Sequence, residues 1–314
     1  MTGASAIQAI VSGLANGAVY GLIAMGFALA YGATRMVSIA HGDVVGASVS
    51  ASIAVVLGST PVATSPALGD SIALCALTLV IATFIGLTLY VVAVRPFIGG
   101  GIGASRSVMG WVAFGAAGGL LLRRLMTSIF ERDVIAVPDP LHLGWFRASG
   151  VIGLPGGAQL PSRTLGVIAL GLVLAVALDV ALTKSLLGQA IRAVSSDPDA
   201  AGLVGIQTRR LLPLVFALAG TLAGVAALLG IPGHALTSST GVVLGLKAIA
   251  AALLWRLGSP RAAFLGGTAL GVIEGLVVAQ WGAQLADAFA LGLLVVLLAT
   301  RPQGLAVRPM AEVI

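Results

Sequence analysis

Several ionisable residues fall inside apolar stretches of the sequence, where a charge needs a partner. Lys247 and Glu274 lie in two late stretches, and His41 and Asp43 lie together in an early one. Burying a charge in apolar surroundings is unfavourable, so such residues pair with one another or mark a functional pathway. We predict a Lys247–Glu274 ion pair, which either holds two helices together or contacts a bound solute.

His41 and Asp43 have two interpretations: they line a pathway, or they cap the start of a helix. Asn16 and Tyr20 lie one helical turn apart and are predicted to make a hydrogen bond to a neighbouring helix. None of these pairs has the character of a nucleophile and its base, and no His, Cys and Asp set has metal-ligand spacing. The sequence therefore favours neither an enzyme nor a metal site.

The most polar segment, 184–210, carries the signals of a short helix with a cap at each end. Asp197 fits the N-cap position, because its carboxylate can accept from free backbone amides, and Pro198 fits the first helical position. Gly205 fits the C-terminal cap. A solvated turn is the alternative, but the two caps favour a surface helix suited to docking on a partner protein.

Composition indicates that membrane helices hold these residues. Hydrophobic residues make up 58% of the 314 residues and charged residues only 9%, against about 25% charged residues in globular domains. Such a chain cannot cover a soluble surface with polar groups, so its apolar side chains are expected to face the lipid bilayer. The net charge of +6 comes without a basic cluster interleaved with aromatic residues, which argues against nucleic-acid binding.

Nine stretches approach the roughly 20 apolar residues that a membrane-spanning helix needs. They are residues 7–33, 38–57, 70–94, 107–127, 163–183, 210–231, 243–257, 262–281 and 285–300. Because 38–57 and 243–257 contain repeated Gly, the fold is predicted to have interrupted helices there. The predicted fold class is all-α, a polytopic membrane protein of eight or nine transmembrane helices that forms one domain over residues 1–314.

The distribution of basic residues predicts an orientation. With the N-terminus outside and nine crossings, 11 of the 17 Lys and Arg residues lie on the cytoplasmic side and Lys247 lies within the membrane. The five that lie outside are Arg123, Arg124, Arg132, Arg147 and Arg163. Cytoplasmic loops are enriched in Lys and Arg, so the C-terminus and the 184–210 segment are expected in the cytoplasm. The loop 128–162, rich in Pro and Gly, is then external and is predicted to form turns.

Two segments of the chain resemble each other. Residues 40–46 and 239–245 share a GxxxG spacing at the same offset, and each segment runs on to a Leu-Gly-Ser, at 57–59 and 257–259. In the predicted orientation the two copies cross the membrane in opposite directions, as the inverted repeats of transporters do. Coincidence in a sequence rich in Gly and Val is the alternative.

Several motifs resemble those of the permeases of branched-chain amino acid ABC transporters. They are the coupling-loop pattern Gly188-x-x-x-Arg192-Ala193, Asp197-Pro198-x-x-Ala201 and Gly205-Ile206; residues 13–26, similar to the first helix; Ile39-Ala40-His41-Gly42-Asp43, similar to the NFAHG(E/D) signature; and the late motifs Gly245-Leu246-Lys247-Ala248 and Pro302-x-Gly304-Leu305. The resemblance follows the chain in order and is weakest over 96–162. Length and early start resemble the shorter, LivH-type subunit.

The resemblance implies an importer with two related permease subunits, two cytoplasmic ATPase subunits and a periplasmic binding protein, in the bacterial inner membrane. This chain would be one permease, and a LivM-like chain the other. It has no GxxxxGK[ST] phosphate-binding loop, so ATP and Mg²⁺ are expected on the ATPase subunits and no cofactor on this chain. The residues implied in coupling are Gly188, Arg192, Asp197, Pro198, Ala201 and Gly205.

Two departures from the family pattern bear on the substrate. Ser38 stands where the family has Asn, and Leu254-Trp255-Arg256 replaces a Gly-rich turn. We predict import of branched-chain or related amino acids. The alternatives are a urea, amide or other small-solute permease, and an ion-coupled secondary transporter in which Lys247, Glu274 and His41 form a relay. The candidates for the translocation pathway are Asn16, Tyr20, His41, Asp43, Lys247 and Glu274.

Overall fold

Helices account for most of the chain. A computed structural model describes residues 3–34, 38–58, 66–95, 104–130, 134–140, 150–153, 159–232, 235–255 and 257–300. The helices are α1 (Gly3–Thr34), α2 (Ala40–Val56), α3 (Leu68–Leu89), α4 (Ala104–Phe130), α5 (Ser162–Lys184), α6 (Leu186–Ser196), α7 (Pro198–Leu203), α8 (Thr208–Gly230), α9 (Thr240–Trp255), α10 (Pro260–Trp281) and α11 (Ala283–Thr300). A π-helical segment, Tyr90–Val94, continues α3. The all-α prediction is confirmed.

Within the described residues, six helices are long and apolar enough to cross a membrane, namely α1, α3, α5, α8, α10 and α11. The apolar helices α2 and α9 are shorter, at 17 and 16 residues. Each of the nine predicted stretches falls on a helix, and α6 and α7 occupy the polar segment between α5 and α8. The chain is therefore a multi-pass membrane protein.

The prediction of interrupted helices is wrong, because α2 and α9 are each continuous. Their glycines allow the two helices to approach each other closely and do not break either helix. A Cβ added at Gly42 would lie 2.6 Å from the carbonyl oxygen of Gly241 and 2.6 Å from the Cα of Gly245. The two GxxxG segments thus cross in direct backbone contact, as small residues allow between membrane helices.

The helices α1 and α10 pack antiparallel through a second set of glycines. Gly13 of α1 lies against Gly271, and Gly17 lies against Gly267. These residues recur every four positions, so they form one face of each helix. A Cβ at Gly271 would lie 2.4 Å from both the carbonyl oxygen of Gly13 and the Cα of Gly17, so the two backbones touch along this face.

The packing agrees with an inverted repeat that extends from the predicted segments, 40–46 and 239–245, to α1–α4 and α8–α11. The pair α1 and α10 has its counterpart in α8 and α3, which meet through Gly220 and Gly86, while α2 packs on α9. If a two-fold axis relates the two repeats, α1 corresponds to α8 and α10 corresponds to α3, so the two pairs are equivalent. The glycine of the repeated Leu-Gly-Ser has the same left-handed backbone in both copies, since Gly58 and Gly258 follow α2 and α9 with φ of 81° and 95°. Glycine tolerates this left-handed backbone at a helix end.

Short strands occupy the connections at one end of the bundle. Strand β1 (Val134–Ala136) pairs antiparallel with β4 (Ala235–Thr237), and β2 (Val151–Gly153) pairs with β3 (Gln159–Pro161). The described part of the 128–162 loop is therefore non-helical from residue 134 to residue 161, as predicted, although α4 runs on to Phe130. Outside the described residues lie Arg132, Arg147, Arg256 and the motif from Pro302 to Leu305.

Candidate functional site

Lys247, in the middle of α9, binds two carboxylates. Its Nζ lies 2.6 Å from Oε1 of Glu274 in α10 and 2.6 Å from Oδ1 of Asp287 in α11. It also donates to the hydroxyl of Tyr20 in α1 at 3.4 Å and lies 5.4 Å from the centre of that ring. The predicted Lys247–Glu274 pair is confirmed, and Tyr20 makes the predicted bond to another helix. This group of residues, the Lys247 cluster, joins four helices.

The charges of the Lys247 cluster do not balance, since one ammonium faces two carboxylates. Lys247 and Glu274 are 4% and 6% exposed, whereas the Asp287 side chain is 59% exposed. Glu274 uses only one oxygen: within the described residues its buried Oε2 has no hydrogen-bond partner. Sequence reasoning missed Asp287, although it lies in the apolar stretch 285–300 and could have been noticed as an acid there.

A cavity of about 330 Å³ lies beside the Lys247 cluster, between α1 and α10. Its polar lining from α1 is Ser5, Gln8, Ser12 and Asn16, and its α10 wall includes Glu274. These α1 residues recur every three or four positions, so they form one face, and Gln8, Ser12 and Asn16 are exposed. We name this face the α1 polar stripe. It is the second feature that sequence reasoning missed, although its spacing is visible in the sequence.

The α1 polar stripe is unusual for a membrane helix. Polar side chains within the bilayer generally face a water-filled path or another protein, because lipid gives them no partner. From Ser5 to Asn16 the stripe covers about 16 Å at 1.5 Å per residue. The cavity therefore leads from the N-terminal end of α1 toward its middle, where the Lys247 cluster lies.

A second cavity, of about 230 Å³, shares Asn16 with the first. Asn16 and Tyr20 contribute to its wall, together with residues of α8 and α9. Three predicted pathway residues, Asn16, Tyr20 and Glu274, therefore line two neighbouring cavities, and Lys247 contacts Tyr20 and Glu274. The arrangement can hold a small polar solute by hydrogen bonds and charge, and it contains no nucleophile and base placed for chemistry.

His41 and Asp43 belong to different surroundings. His41 is buried with its ring edge-to-face against Phe27, the ring centres 4.7 Å apart. Its Nε2 occupies the space beside Gly26 and has no partner in the part of the chain that the structure describes. Residue Ile39 precedes α2 without a side-chain cap bond. The interpretation of His41 and Asp43 as helix caps is therefore wrong, because both side chains turn into the bundle.

Asp43 instead forms a two-pronged ion pair with Arg123 of α4. Arg123 Nε lies 3.0 Å from Oδ1, and its Nη2 lies 3.3 Å from Oδ2. The Asp43 side chain is 2% exposed. Arg123 lies within α4, which continues to Phe130, and the helix places its guanidinium within reach of this buried carboxylate.

The polar 184–210 segment folds back at the end of α5. Ser185 caps α6, its Oγ accepting from the Gly188 amide at 3.1 Å. A Cβ at Gly188 would lie 1.7 Å from the carbonyl oxygen of Leu182, so only glycine fits this corner. Arg192 donates to the carbonyl oxygens of Leu182 and Thr183, which α5 leaves free at its C-terminus. Gly188 and Arg192 thus fix the angle between α5 and α6.

The next helix, α7, has both of its predicted caps. Asp197 Oδ1 accepts from the Ala200 amide at 2.9 Å, and Pro198 is the first residue of the helix. Gly205 closes the other end with φ of 86°. Ala201 is 3% exposed and anchors α7 on the bundle, whereas Leu203 and Val204 are 90% and 77% exposed. We name these two apolar residues the α7 tip.

The sequence matches one family model and several curated relatives. The model describes the permease component of branched-chain amino acid transport systems and matches residues 9–298. The protein is 29% identical to the high-affinity branched-chain amino acid transport system permease protein BraD of Pseudomonas aeruginosa, over 98% of this chain and 97% of BraD. It is 31% identical to the corresponding permease LivH of Salmonella typhimurium and of Escherichia coli, again over 98% and 97%.

Among solved structures, PsaBC from Streptococcus pneumoniae in complex with Fab aligns with 94% of this chain and 90% of its own, at 14% identity and a TM-score of 0.41. That likeness is too low to support a conclusion. The family match covers nearly the whole chain, and it includes the helices that carry the Lys247 cluster and the capped segment. The chain belongs to the family of permease components of branched-chain amino acid transport systems.

Proposed function

We propose that this chain is a transmembrane permease subunit of an ATP-binding-cassette importer that moves branched-chain or related amino acids across the bacterial inner membrane. The observation that carries the proposal is the family match over residues 9–298, with relatives of that named function aligned over 98% of the chain. The proposed partners are a second, LivM-like permease, two cytoplasmic ATPase subunits that bind ATP and Mg²⁺, and a periplasmic binding protein. The proposed orientation places the N-terminus outside and the C-terminus in the cytoplasm.

In this proposal the segment 184–210 transmits motion from the ATPase subunits. Three features support it: the rigid corner at Gly188 and Arg192, the capped helix α7, and the α7 tip, whose apolar side chains are exposed in the isolated chain. A capped helix moves as a unit. A displacement of α7 therefore reaches α8 directly, and it reaches α5 through α6 and the corner at Gly188. Coupling of this kind shifts a two-state equilibrium between outward and inward access.

The α1 polar stripe supports the same function from the other end of the protein. It gives a polar solute a lined route into the bundle as far as the Lys247 cluster. With a second permease beside it, the stripe would face a shared pathway and be kept from lipid. The α1 polar stripe, Tyr20, Lys247 and Glu274 are therefore proposed as pathway residues, whereas His41 and Asp43 support the packing of α2.

Reconstituted transport tests the proposal directly. The chain, its second permease and the ATPase subunits are placed in lipid vesicles with the binding protein, and uptake of radiolabelled leucine is followed. We expect uptake that requires ATP and the binding protein. Uptake that persists without the ATPase subunits and follows a proton gradient would contradict it and favour the secondary transporter.

The secondary-transporter alternative has one structural requirement that the described residues do not meet. A relay of Lys247, Glu274 and His41 needs hydrogen bonds or water-sized gaps that link the three groups. Lys247 and Glu274 touch, but His41 lies against Phe27 and Gly26, and its Nε2 has no partner among the residues described. The geometry thus favours the importer.

Arg192→Glu is expected to uncouple ATP hydrolysis from transport. The change places a carboxylate against the free carbonyl oxygens of Leu182 and Thr183, at the negative end of the α5 dipole. We expect leucine uptake to fall at least about tenfold, which corresponds to about 1.4 kcal/mol, while ATPase activity continues. Arg192→Lys keeps the positive charge and should retain most uptake. Equal uptake by both variants and the unchanged protein would contradict a coupling role for this corner.

Changes at the α7 tip test docking more selectively than changes at the corner. Leu203→Asp and Val204→Asp together place charge on side chains that are 90% and 77% exposed, so the chain itself should fold normally. Deletion of residues 197–204 should have the same effect on transport. We expect the permease to insert with an unchanged melting temperature but to lose co-purification with the ATPase subunits. Retained co-purification would remove the α7 tip from the interface.

A further inference from the structure

We propose that Glu274 and Asp287 together form a binding site for the ammonium group of the transported solute, reached along the α1 polar stripe. This inference rests on the proposed function and adds the residues that recognise the substrate. It depends on three observations: an unbalanced charge, an unused buried carboxylate oxygen, and a cavity with polar walls whose lining includes Glu274.

The net negative charge of the Lys247 cluster would be neutralised by one more cation. With both carboxylates ionised, the Lys247 cluster carries a net charge of −1, and Glu274 and Lys247 are almost completely buried. An uncompensated charge within the bilayer is unfavourable. An ammonium group that arrives at Glu274 and Asp287 restores neutrality without any change in Lys247.

The unused oxygen gives that cation a place to bind. Glu274 Oε1 is occupied by Lys247, while Oε2 has no hydrogen-bond partner within the residues that the structure describes. A buried polar atom left without a partner is rare in folded proteins, and each instance asks for an explanation. A substrate ammonium carries three donors, and the two acids are close enough to share one ammonium, since Lys247 Nζ lies 2.6 Å from an oxygen of each.

The cavity beside Glu274 matches an amino acid in size and character. Its volume of about 330 Å³ lies at the lower end of the roughly 300–1,000 Å³ typical of small-molecule sites. The side chains of Gln8, Ser12 and Asn16 offer hydrogen bonds to a carboxylate, and Ala9 and Val278 offer apolar surface to a branched side chain. One solute can therefore meet acid, amide and apolar groups within one space.

Lys247 has a separate role in this site. A fixed ammonium at 2.6 Å from both acids reduces their combined charge from −2 to −1. Transport requires binding that is strong enough to admit the solute and weak enough to release it. We infer that Lys247 sets this balance and is a positioning residue, while Glu274 and Asp287 make the contact.

Charge-neutral variants of the cluster, measured in the vesicle assay, separate this site from a purely structural ion pair. Glu274→Gln and Asp287→Asn each bring the net charge to zero, and each should lower leucine uptake about tenfold, the effect of one lost charge-assisted contact. Glu274→Gln with Lys247→Met restores a net charge of −1 by freeing the Asp287 carboxylate, so part of the lost uptake should return, although the Glu274 contact stays absent. Adding Asp287→Asn removes every charge, and uptake should fall again.

The triple variant decides between the two roles. A structural cluster gains or keeps stability when all its charges are replaced together, because no charge is left buried. We therefore expect the triple variant to have the melting temperature of the unchanged protein in detergent, while its leucine uptake is at least about tenfold lower than that of the unchanged protein. If the triple variant takes up leucine as fast as the double variant, the ammonium site is overturned. Asp287→Asn, at an exposed position, keeps the test valid if the buried variants fail to fold.

Binding of solutes that lack either the carboxylate or the ammonium group tests directly which group the site recognises. The purified complex without its binding protein is titrated with leucine, with 3-methylbutan-1-amine, which has no carboxylate, and with 4-methylpentanoate, which has no ammonium. Saturable binding of the first two, lost in Asp287→Asn, supports the site, and equal binding of 4-methylpentanoate overturns it. Uptake by the unchanged complex of a solute without any ammonium group, and not of leucine, would instead overturn the proposed function.

Discussion

Replacing Gly271 with Val is expected to prevent the permease from folding. A Cβ at this position would lie 2.4 Å from the carbonyl oxygen of Gly13 and from the amide nitrogen and Cα of Gly17. All of these are backbone atoms in the middle of α1, so no side-chain rotation can relieve the overlap. The two helices must separate, which disrupts the glycine contacts on both sides as well.

The expected loss of stability is more than about 3 kcal/mol, the upper end of the range for overpacked cores. Proteins commonly have only about 5–15 kcal/mol in total, so a loss of this size leaves little folded material. The measurement is thermal unfolding of the purified chain in detergent, with the yield of monodisperse protein from size-exclusion chromatography as a second readout.

Gly292→Val is the matched control in another membrane helix. A Cβ at Gly292, in α11, would meet nothing within 4 Å in the described structure. Its expected effect is within about 0.5 kcal/mol, as for substitutions that touch no packed neighbour. If both variants lower the melting temperature equally, close contact between α1 and α10 does not hold the fold together.

The same glycines show how much of the fold can be predicted from the sequence. The spacing of Gly13 and Gly17, and of Gly267 and Gly271, marks small faces on two helices and is visible without a structure. The pairing of those faces depends on contacts between distant parts of the chain, which periodicity does not encode. For the same reason the repeated Gly of 38–57 and 243–257 predicts interrupted helices, whereas the structure uses Gly42 and Gly245 for a helix crossing.

At the candidate site, features that depend on neighbouring residues were predicted more accurately than contacts between distant parts of the chain. The caps at Asp197 and Gly205 follow from neighbouring residues alone, and both are present. The Lys247–Glu274 pair was predicted because two opposite charges lay in apolar stretches with few alternatives. Asp287 was missed because a single acid near a helix end usually reaches water, and its contact with Lys247 depends on how α11 packs against α9.

The inverted repeat relates two of the ion pairs found among the described residues. Asp43 and Arg123 join α2 to α4, and Lys247 and Asp287 join α9 to α11. These are equivalent helix pairs if α1–α4 and α8–α11 are the repeats, and the sign of the charges is exchanged between them. The first pair is balanced, whereas the second has Glu274 as an additional acid. We interpret the balanced pair as a fixed joint and the unbalanced one as the site where a solute binds.

Arg123→Met is expected to destabilise the protein without altering the proposed site. The change leaves the Asp43 carboxylate, whose side chain is 2% exposed, without its ion-pair partner. Removing one member of a buried pair costs about 3–5 kcal/mol, and we expect the lower end, since the Arg123 side chain is 30% exposed. The measurement is the melting temperature in detergent.

Arg124→Met supplies the control, because Arg124 is the next residue of α4 and is exposed. It removes the same charge from the same helix and should leave the melting temperature nearly unchanged. Combining Arg123→Met with Asp43→Asn removes both charges and should recover most of the loss, since an amide is less unfavourable to bury than a carboxylate. A double variant as unstable as Arg123→Met would show that packing of the arginine stem, and not the buried charge, holds α2 to α4. Recovery of the double variant together with unimpaired leucine uptake would establish the Asp43–Arg123 pair as a joint and leave substrate recognition to the Lys247 cluster.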